Sequence, residues 1–349
     1  SFKYLKKLSG LEEIHTNYSI KYLYSLVNSG NINEAFNYSR KLEKQKLESF
    51  ESNLITGIFY LKKSDFKSAK KYFLKAKAKG SKFVLNNYVS DSLYNWSNLT
   101  NIDKSSANLE LKKLDKRFEN LKKIQSVFLN CYYNSSDTNE LFSTLNSNQR
   151  TDFSRYNYFH ASYAISIGKI NEAKSIVQSA LKLYPRNLLL NQYKIDLNEL
   201  KNIDAFDCRK EKHVAAEILY ITANALSSQS LYSLSNFYLN LAKFLNEDFH
   251  SFETLLAENF YKTNNFEDAK KIYKNLSKKG EAFKWHSIKQ LARIFIQEKK
   301  TKDAIKLTSS VYKDLINKEV YETFDFAEFL KNNEKFQESI FHYTAVLKI

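Results

Sequence analysis

The chain has one proline, Pro185, six glycines, two cysteines and no methionine in 349 residues. With so few chain breakers, no Pro- or Gly-rich linker divides it into separately tethered parts. The two cysteines, Cys131 and Cys208, stand far apart. They make neither a disulfide framework nor a metal pair, and are expected to be semi-buried free thiols. No apolar run reaches the roughly 18 residues of a membrane span. The missing methionine extends to residue 1, where the chain begins Ser-Phe. The expectation is a processed or trimmed N-terminus on a soluble chain, with the compartment open and a slight lean to export.

The signatures of common chemistries are absent too. There is no GxGxxG or GxxxxGK[ST] loop, no HExxH and no GxSxG. The histidines, His15, His160, His213, His250, His286 and His342, are scattered. None has a Cys or His at metal-ligand spacing, so each is expected to be structural. No catalytic residue, metal or cofactor is expected, and the chain does not read as an enzyme. The irregular stretch 83–150 is the one region left open to an enzymatic site.

What is abundant is lysine and aromatic side chains. The net charge is +16, and there are 24 Tyr and 26 Phe. A basic chain invites an anionic partner. Yet the excess is almost all lysine, and the arginines are only Arg40, Arg117, Arg150, Arg155, Arg186, Arg209 and Arg293. Phosphate recognition favours the planar fork of arginine. Nucleic acid or an anionic surface, bound through Lys-rich helices, is therefore the alternative reading, and a protein or peptide partner of unknown identity is the leading one. The sequons at Asn95 and Asn98 are expected by chance in a chain this rich in Asn and Ser.

The organising feature is a repeat, clearest in 252–280. Leu256, Ala257 and Phe260 mark one short amphipathic helix. A tight turn follows, then Phe266, Ala269, Tyr273 and Leu276 at a spacing that puts all four on one face. A small residue early in the second helix serves as marker. It recurs at Ala35, Ala69, Ser105, Ala173, Ser235, Ala269, Ala304 and Ser339. From Ala35 to Ala69 is 34 residues, from Ala69 to Ser105 is 36, from Ser235 to Ala269 is 34, and the last two steps are 35 each. Leu141 and Phe206 mark weak members in the gaps. A run from Leu109 to Phe128, with Leu111, Leu114, Phe118, Leu121 and Ile124 at helical spacing, reads as a helix.

This small–aromatic–Ala–aromatic–Ala order at a step of about 34 residues resembles the tetratricopeptide repeat family. Departures stand at Leu23, Ser39, Leu141 and Thr308. The C-terminal half is also similar to long, often exported tetratricopeptide proteins of alphaproteobacteria. The resemblance implies an all-α fold, a right-handed superhelical solenoid of antiparallel helix pairs. Its expected divisions are a remnant of a preceding repeat at 1–16, two units at 17–82 and irregular helical repeats at 83–150. One unit plus a degenerate unit or loop follows at 151–212, and four consecutive units at 213–349.

The resemblance further implies a non-enzymatic scaffold that binds a partner in a concave groove lined by first helices. The implied contacts are Tyr24 and Asn28, Ile58 and Lys62, Tyr158 and Ser162, Tyr220 and Asn224, Glu258 and Lys262, Lys289 and Arg293, and Phe324 and Glu328. Lys289 and Arg293, at i, i+4, could grip a carboxylate. The Lys, Asn and Arg set by which chaperone-binding members do this is not reproduced here.

Overall fold

The computed structural model describes residues 11, 15–80, 83–147, 154–201, 203–316 and 318–348. The remnant read at 1–16 lies almost wholly outside them. Nineteen α-helices and no strand occur among the described residues. They are α1 Thr16–Asn28, α2 Ile32–Lys44, α3 Phe50–Lys62, α4 Phe66–Gly80, α5 Val84–Trp96, α6 Lys104–Lys112, α7 Glu119–Tyr132, α8 Thr138–Asn146, α9 Tyr156–Ser166 and α10 Ile170–Leu183. They continue as α11 Leu188–Glu199, α12 Glu211–Ser228, α13 Tyr232–Leu245, α14 Ser251–Lys262, α15 Phe266–Leu276, α16 Glu281–Gln297, α17 Thr301–Asp314, α18 Val320–Asn332 and α19 Phe336–Val346. The fold is the expected all-α one, built of consecutive helical hairpins such as α3–α4, α9–α10, α12–α13 and α18–α19.

One turn design makes most of these hairpins. The residue ahead of the second helix's first cap is left-handed: Gly30, Ser64, Gly168, Ser230, Asn264, Lys299 and Glu334 all have φ between 57° and 80°. The next amide then reaches back to the carbonyl five residues earlier, as Asn31 does to Leu26, Lys169 to Ala164 and Lys300 to Phe295, at 2.8–2.9 Å. This closes the first helix in a Schellman motif and starts the second at once. Only Gly30 and Gly168 take the conformation without a Cβ penalty.

The marker residues sit one turn further on. Ala35, Ala69, Ala173, Ser235, Ala269 and Ala304 are fully buried, and Ser339 nearly so. At this seat the second helix presses on the first. Gly57 shows how closely: a Cβ there would stand 2.5 Å from the Phe73 ring. Ser39 and Thr308, odd residues for a seam, return their hydroxyls to the carbonyls of Ala35 and Ala304, each at 2.8 Å. Ser105 does not hold this seat. It is exposed, and Ala107, whose amide bonds Asp103 O, is buried in its place. The short 3-10 turn Leu99–Asn101 and the Asp103 cap on Ser106 start the helix later than the spacing implied. The run Leu109–Phe128 is likewise two helices. Asp115 accepts the Arg117 amide and breaks it with a 3-10 turn at Lys116–Phe118. Phe206 lies in a loop, buried there.

Two compact units form, each from two stretches of chain. The first is Ser1–Thr151 with Asp204–Asn259, and the second is Asp152–Ile203 with Phe260–Ile349. The block 213–349 is thus divided, with its first pair, α12–α13, belonging to the N-terminal helices.

In the first unit the pairs do more than stack on sequence neighbours. α13 packs on α1 and α3, and α12 packs on α5. Both helices are consequently apolar on more than one side. Val214, Ala215, Leu219, Phe237, Leu239, Leu241 and Ala242 are all fully buried. A buried polar knot joins α12, α13 and α14: Asn259 donates to Ser235 Oγ and to Asn236 Oδ1, each at 2.8 Å, and accepts from Ser227 at 2.6 Å.

The cysteines are not free thiols. Cys131 of α7 and Cys208 of the loop before α12 are joined by a disulfide, Cα atoms 6.0 Å apart. The return of α12 onto the N-terminal helices brings together two residues from different repeats, which is why spacing gave no hint of the bond.

In the second unit α11 lies against α16, and α15–α16, α16–α17 and α18–α19 pack in succession. Trp285, Tyr312, Leu315, Phe326 and Leu330 form the core between the last pairs.

Candidate functional site

In the first unit the implied groove positions of α1 and α3 are covered by the chain itself. The Tyr24 ring meets Phe237 of α13 edge to face at 4.8 Å, and its hydroxyl donates to Glu51 at 2.9 Å. Burial, with the Glu51 carboxylate next, pushes the Tyr24 phenol well above its ordinary range. Asn28 donates to Ser233 O at 3.2 Å. Lys62 pairs with Glu247 at 2.9 Å and lies over the Phe244 ring. Ile58 is fully buried. These residues do come together, but their partner is α13. On α12, Tyr220 is half-buried with its ring by Phe252, while Asn224 is exposed. Glu258 is half-buried.

In the second unit Tyr158 is a core residue, 2% exposed against Tyr193, and Ser162 is buried as well. Neither can face a groove, because α11 covers their helix. Lys262 is exposed. Lys289 and Arg293 do not act as a pair. Lys289 binds Asp325 at 2.5 Å, and Arg293 lies 3.8 Å above the Tyr261 ring. Glu328 accepts from Tyr343 at 2.6 Å and pairs with Lys331 at 2.5 Å, which holds its carboxyl below the usual range.

What the second unit does assemble is a surface on α18. Asp325, with its side chain largely buried, receives Arg186 as well as Lys289, each at 2.5 Å. The Arg186 guanidinium spreads over both Tyr321 and Phe324, 5.2 and 5.9 Å from the ring centres. Those two rings are 38% and 37% exposed. Two aromatic rings under a planar cation, held by a charged hydrogen bond, make a rigid amphipathic patch.

Near this patch is a cavity of about 310 Å³. Its walls are Asn191, Lys194, Ile195, Asn198 and Glu199 of α11, Glu281, Ala282 and Trp285 of α16, and Leu315, Glu319 and Glu322 at and before α18. Gln192 anchors one wall by accepting the Ala282 amide at 3.1 Å. Sequence reasoning named Lys289 and Phe324 beside this region and missed Arg186, Trp285, Asp325 and Glu322. A fixed offset from the small position finds only first-helix residues. Arg186 enters from a loop, and Glu322 gave no repeat signal.

The Lys-rich face of α4 is substantially engaged. Lys75 pairs with Glu43 at 2.6 Å, Lys77 with Asp91 at 2.7 Å, and Lys70 donates to Asn98 at 2.8 Å. Among the described residues no cluster of His, Cys, Asp and Glu could hold a metal ion, and no helix is long and apolar enough to cross a membrane.

No family model matches the chain, and none of the curated proteins matches it in sequence. Among solved structures it is similar to the crystal structure of the P58(IPK) TPR domain, at 15% identity over 95% of this chain and 92% of that one, with a TM-score of 0.26.

Proposed function

We propose that the chain is a non-enzymatic scaffold that binds a partner polypeptide on exposed surfaces of its helix pairs, foremost the patch that Arg186 makes with Tyr321 and Phe324 of α18 in the second unit. Tandem helical hairpins suggest a protein-interaction scaffold. The observation that carries the reading is the exposure of both rings beneath an arginine already fixed by Asp325. Tyr and Arg are enriched where binding energy concentrates, and side chains fixed beforehand lose little entropy on binding. The implied positions Asn224, in the first unit, and Lys262, in the second, are exposed, and each remains a proposed contact of its own unit. Tyr24, Asn28 and Lys62 contribute by holding α13 instead.

The Cys131–Cys208 bond supports an oxidising compartment for this activity, since such bonds persist there and are rare in reducing cytosol. The nucleic-acid alternative is less favoured, because Lys70, Lys75 and Lys77 already have partners within the chain.

A photo-crosslinking residue at position 324 tests the reading. Placed there, p-benzoylphenylalanine should capture a discrete protein in the source cells. The same residue at Lys306, exposed on the second helix α17, should not. Equal capture at both positions, or none at 324, would overturn the proposal.

A further inference from the structure

Two residues that line the α11–α16–α18 cavity each carry a buried polar atom with nothing to bond. Trp285 Nε1, a donor, and Glu322 Oε2, an acceptor, lack a hydrogen-bond partner among the described residues. Trp285 is only 4% exposed. Buried groups left unpaired are uncommon in folded chains and call for an explanation. Two of opposite kind, on residues lining one cavity, point to a ligand that both donates and accepts.

The remaining walls set the sign of the charge. Glu199, Glu281, Glu319 and Glu322 stand against a single lysine, Lys194. On a chain of net charge +16 this is a locally acidic site. Three of the carboxylates are already engaged. Glu319 pairs with Lys194 at 2.6 Å, Glu199 with Lys201 at 2.8 Å, and Glu281 accepts the Ile316 amide at 2.6 Å. Glu322 keeps Oε2 unbonded, and burial raises its carboxyl above the ordinary range. A bare metal ion or ammonium would serve Glu322 and leave the indole N–H unanswered. A carboxylate or phosphate would serve the indole and be repelled by the walls. A basic residue inside a peptide chain meets both demands. Its side chain brings the cation and its peptide group the carbonyl. The cavity volume lies at the lower end of small-ligand sites, room for one long side chain and its peptide unit.

We infer that this cavity is a recognition pocket for an arginine or lysine of a partner polypeptide, whose cation is bound by Glu322 and whose peptide carbonyl accepts from Trp285 Nε1; the inference rests on the scaffold reading above. It adds to that reading a chemical requirement on the partner, a basic residue in an accessible segment.

The test uses the full chain with ¹⁵N-labelled tryptophan. There are two indole signals, and the Trp285 signal is the one lost in Trp285→Phe. Trp96, whose indole bonds Gln125 at 3.1 Å, is the internal reference. Acetyl-Ala-Arg-Ala-amide should move the Trp285 signal saturably and leave Trp96 in place. Acetyl-Ala-Glu-Ala-amide at the same ionic strength should move neither. Glu322→Gln should weaken the arginine peptide by about tenfold or more. Should that variant fail to fold, Asn198→Arg places a cation at the exposed wall and should weaken the peptide comparably. An unmoved Trp285 signal at millimolar arginine peptide, an equal response to the glutamate peptide, or unchanged affinity in the folded variant would overturn the pocket. A chain that answers the peptide but captures nothing at position 324 overturns the scaffold reading alone. The reverse outcome overturns the pocket alone.

Discussion

Tyr24 of the first hairpin and Phe237 of α13 meet edge to face, ring centres 4.8 Å apart. They come from opposite ends of the first unit's sequence, and their contact says where the inner face of α1 goes. In a plain stack of helix pairs that face would be open to a partner. Here it is filled by a later helix of the same chain. The surface proposed for a partner lies elsewhere, on α18 and the cavity beside it.

Phe237 should therefore behave as a core residue. It is fully buried, and Phe237→Ala should cost about 3–5 kcal/mol. Asn224→Ala, on the exposed side of the partner helix, should stay within about 0.5 kcal/mol. Urea denaturation of the two variants against the parent checks the contrast. If both melt like the parent, α13 does not sit on α1 and α3.

The disulfide should stabilise the first unit. It links residues with a sequence separation of 77. In the loop-entropy account a closed loop of that length is worth about 4 kcal/mol, with measured values often smaller. Cys131→Ser, or dithiothreitol on the parent, should lower the melting temperature. Reductant should then have no further effect on the variant.

Turn geometry predicts two gains. Lys299 and Glu334 sit at φ 62° and 64° where Gly30 and Gly168 occupy equivalent seats. A side chain in the left-handed region costs about 1–2 kcal/mol, although glycine also loses more backbone entropy on folding. Lys299→Gly and Glu334→Gly should each stabilise by a net ~0.5–1 kcal/mol. Gly168→Ala should destabilise. Thermal melts of the three variants read the sign directly.

Acid should unfold the chain partly through its buried histidines. Burial lowers His160, His213 and His286 to about 4. The His213 ring also accepts the Asp207 amide at 3.1 Å, which requires an unprotonated Nδ1. The folded pKa lies below the unfolded one, so the unfolded state takes up protons first as pH falls. Their stabilisation is complete above about pH 6.5 and is lost as pH falls toward 4, up to about 3 kcal/mol for each histidine. Near pH 5.5 each should add about one proton to the uptake on unfolding. The pH dependence of the urea midpoint measures that number, and His286→Gln should reduce it by about one.

Much of the local architecture was legible because it is written in short-range terms. Ala69 and Ala269 are small because a first helix presses on them. Asn264, Asn265 and Phe266 form a turn because one left-handed residue and one helix start fit there. The misplaced marker at Ser105 shows the limit of this reading. Period alone assigned it, while the Asp103 cap set the true register two residues on.

The site was far less legible. Tyr158 looked like a groove residue because it holds a first-helix position, yet α11 buries it. Lys289 and Arg293 share a helix face and could in principle grip one carboxylate, yet Asp325 and Tyr261 take them apart. Both outcomes depend on how a neighbouring helix pair, 32 to 36 residues away, lays its side chains across the first.

The amino-acid order by itself determined the helical hairpin, its length and its recurrence, since each follows from contacts made within about 35 residues. Only the tertiary structure decided that α13 covers α1 and α3, that Cys131 finds Cys208, and that Trp285 and Glu322 line one cavity. Helical periodicity records which face of a helix is apolar. It does not record which distant helix will cover that face.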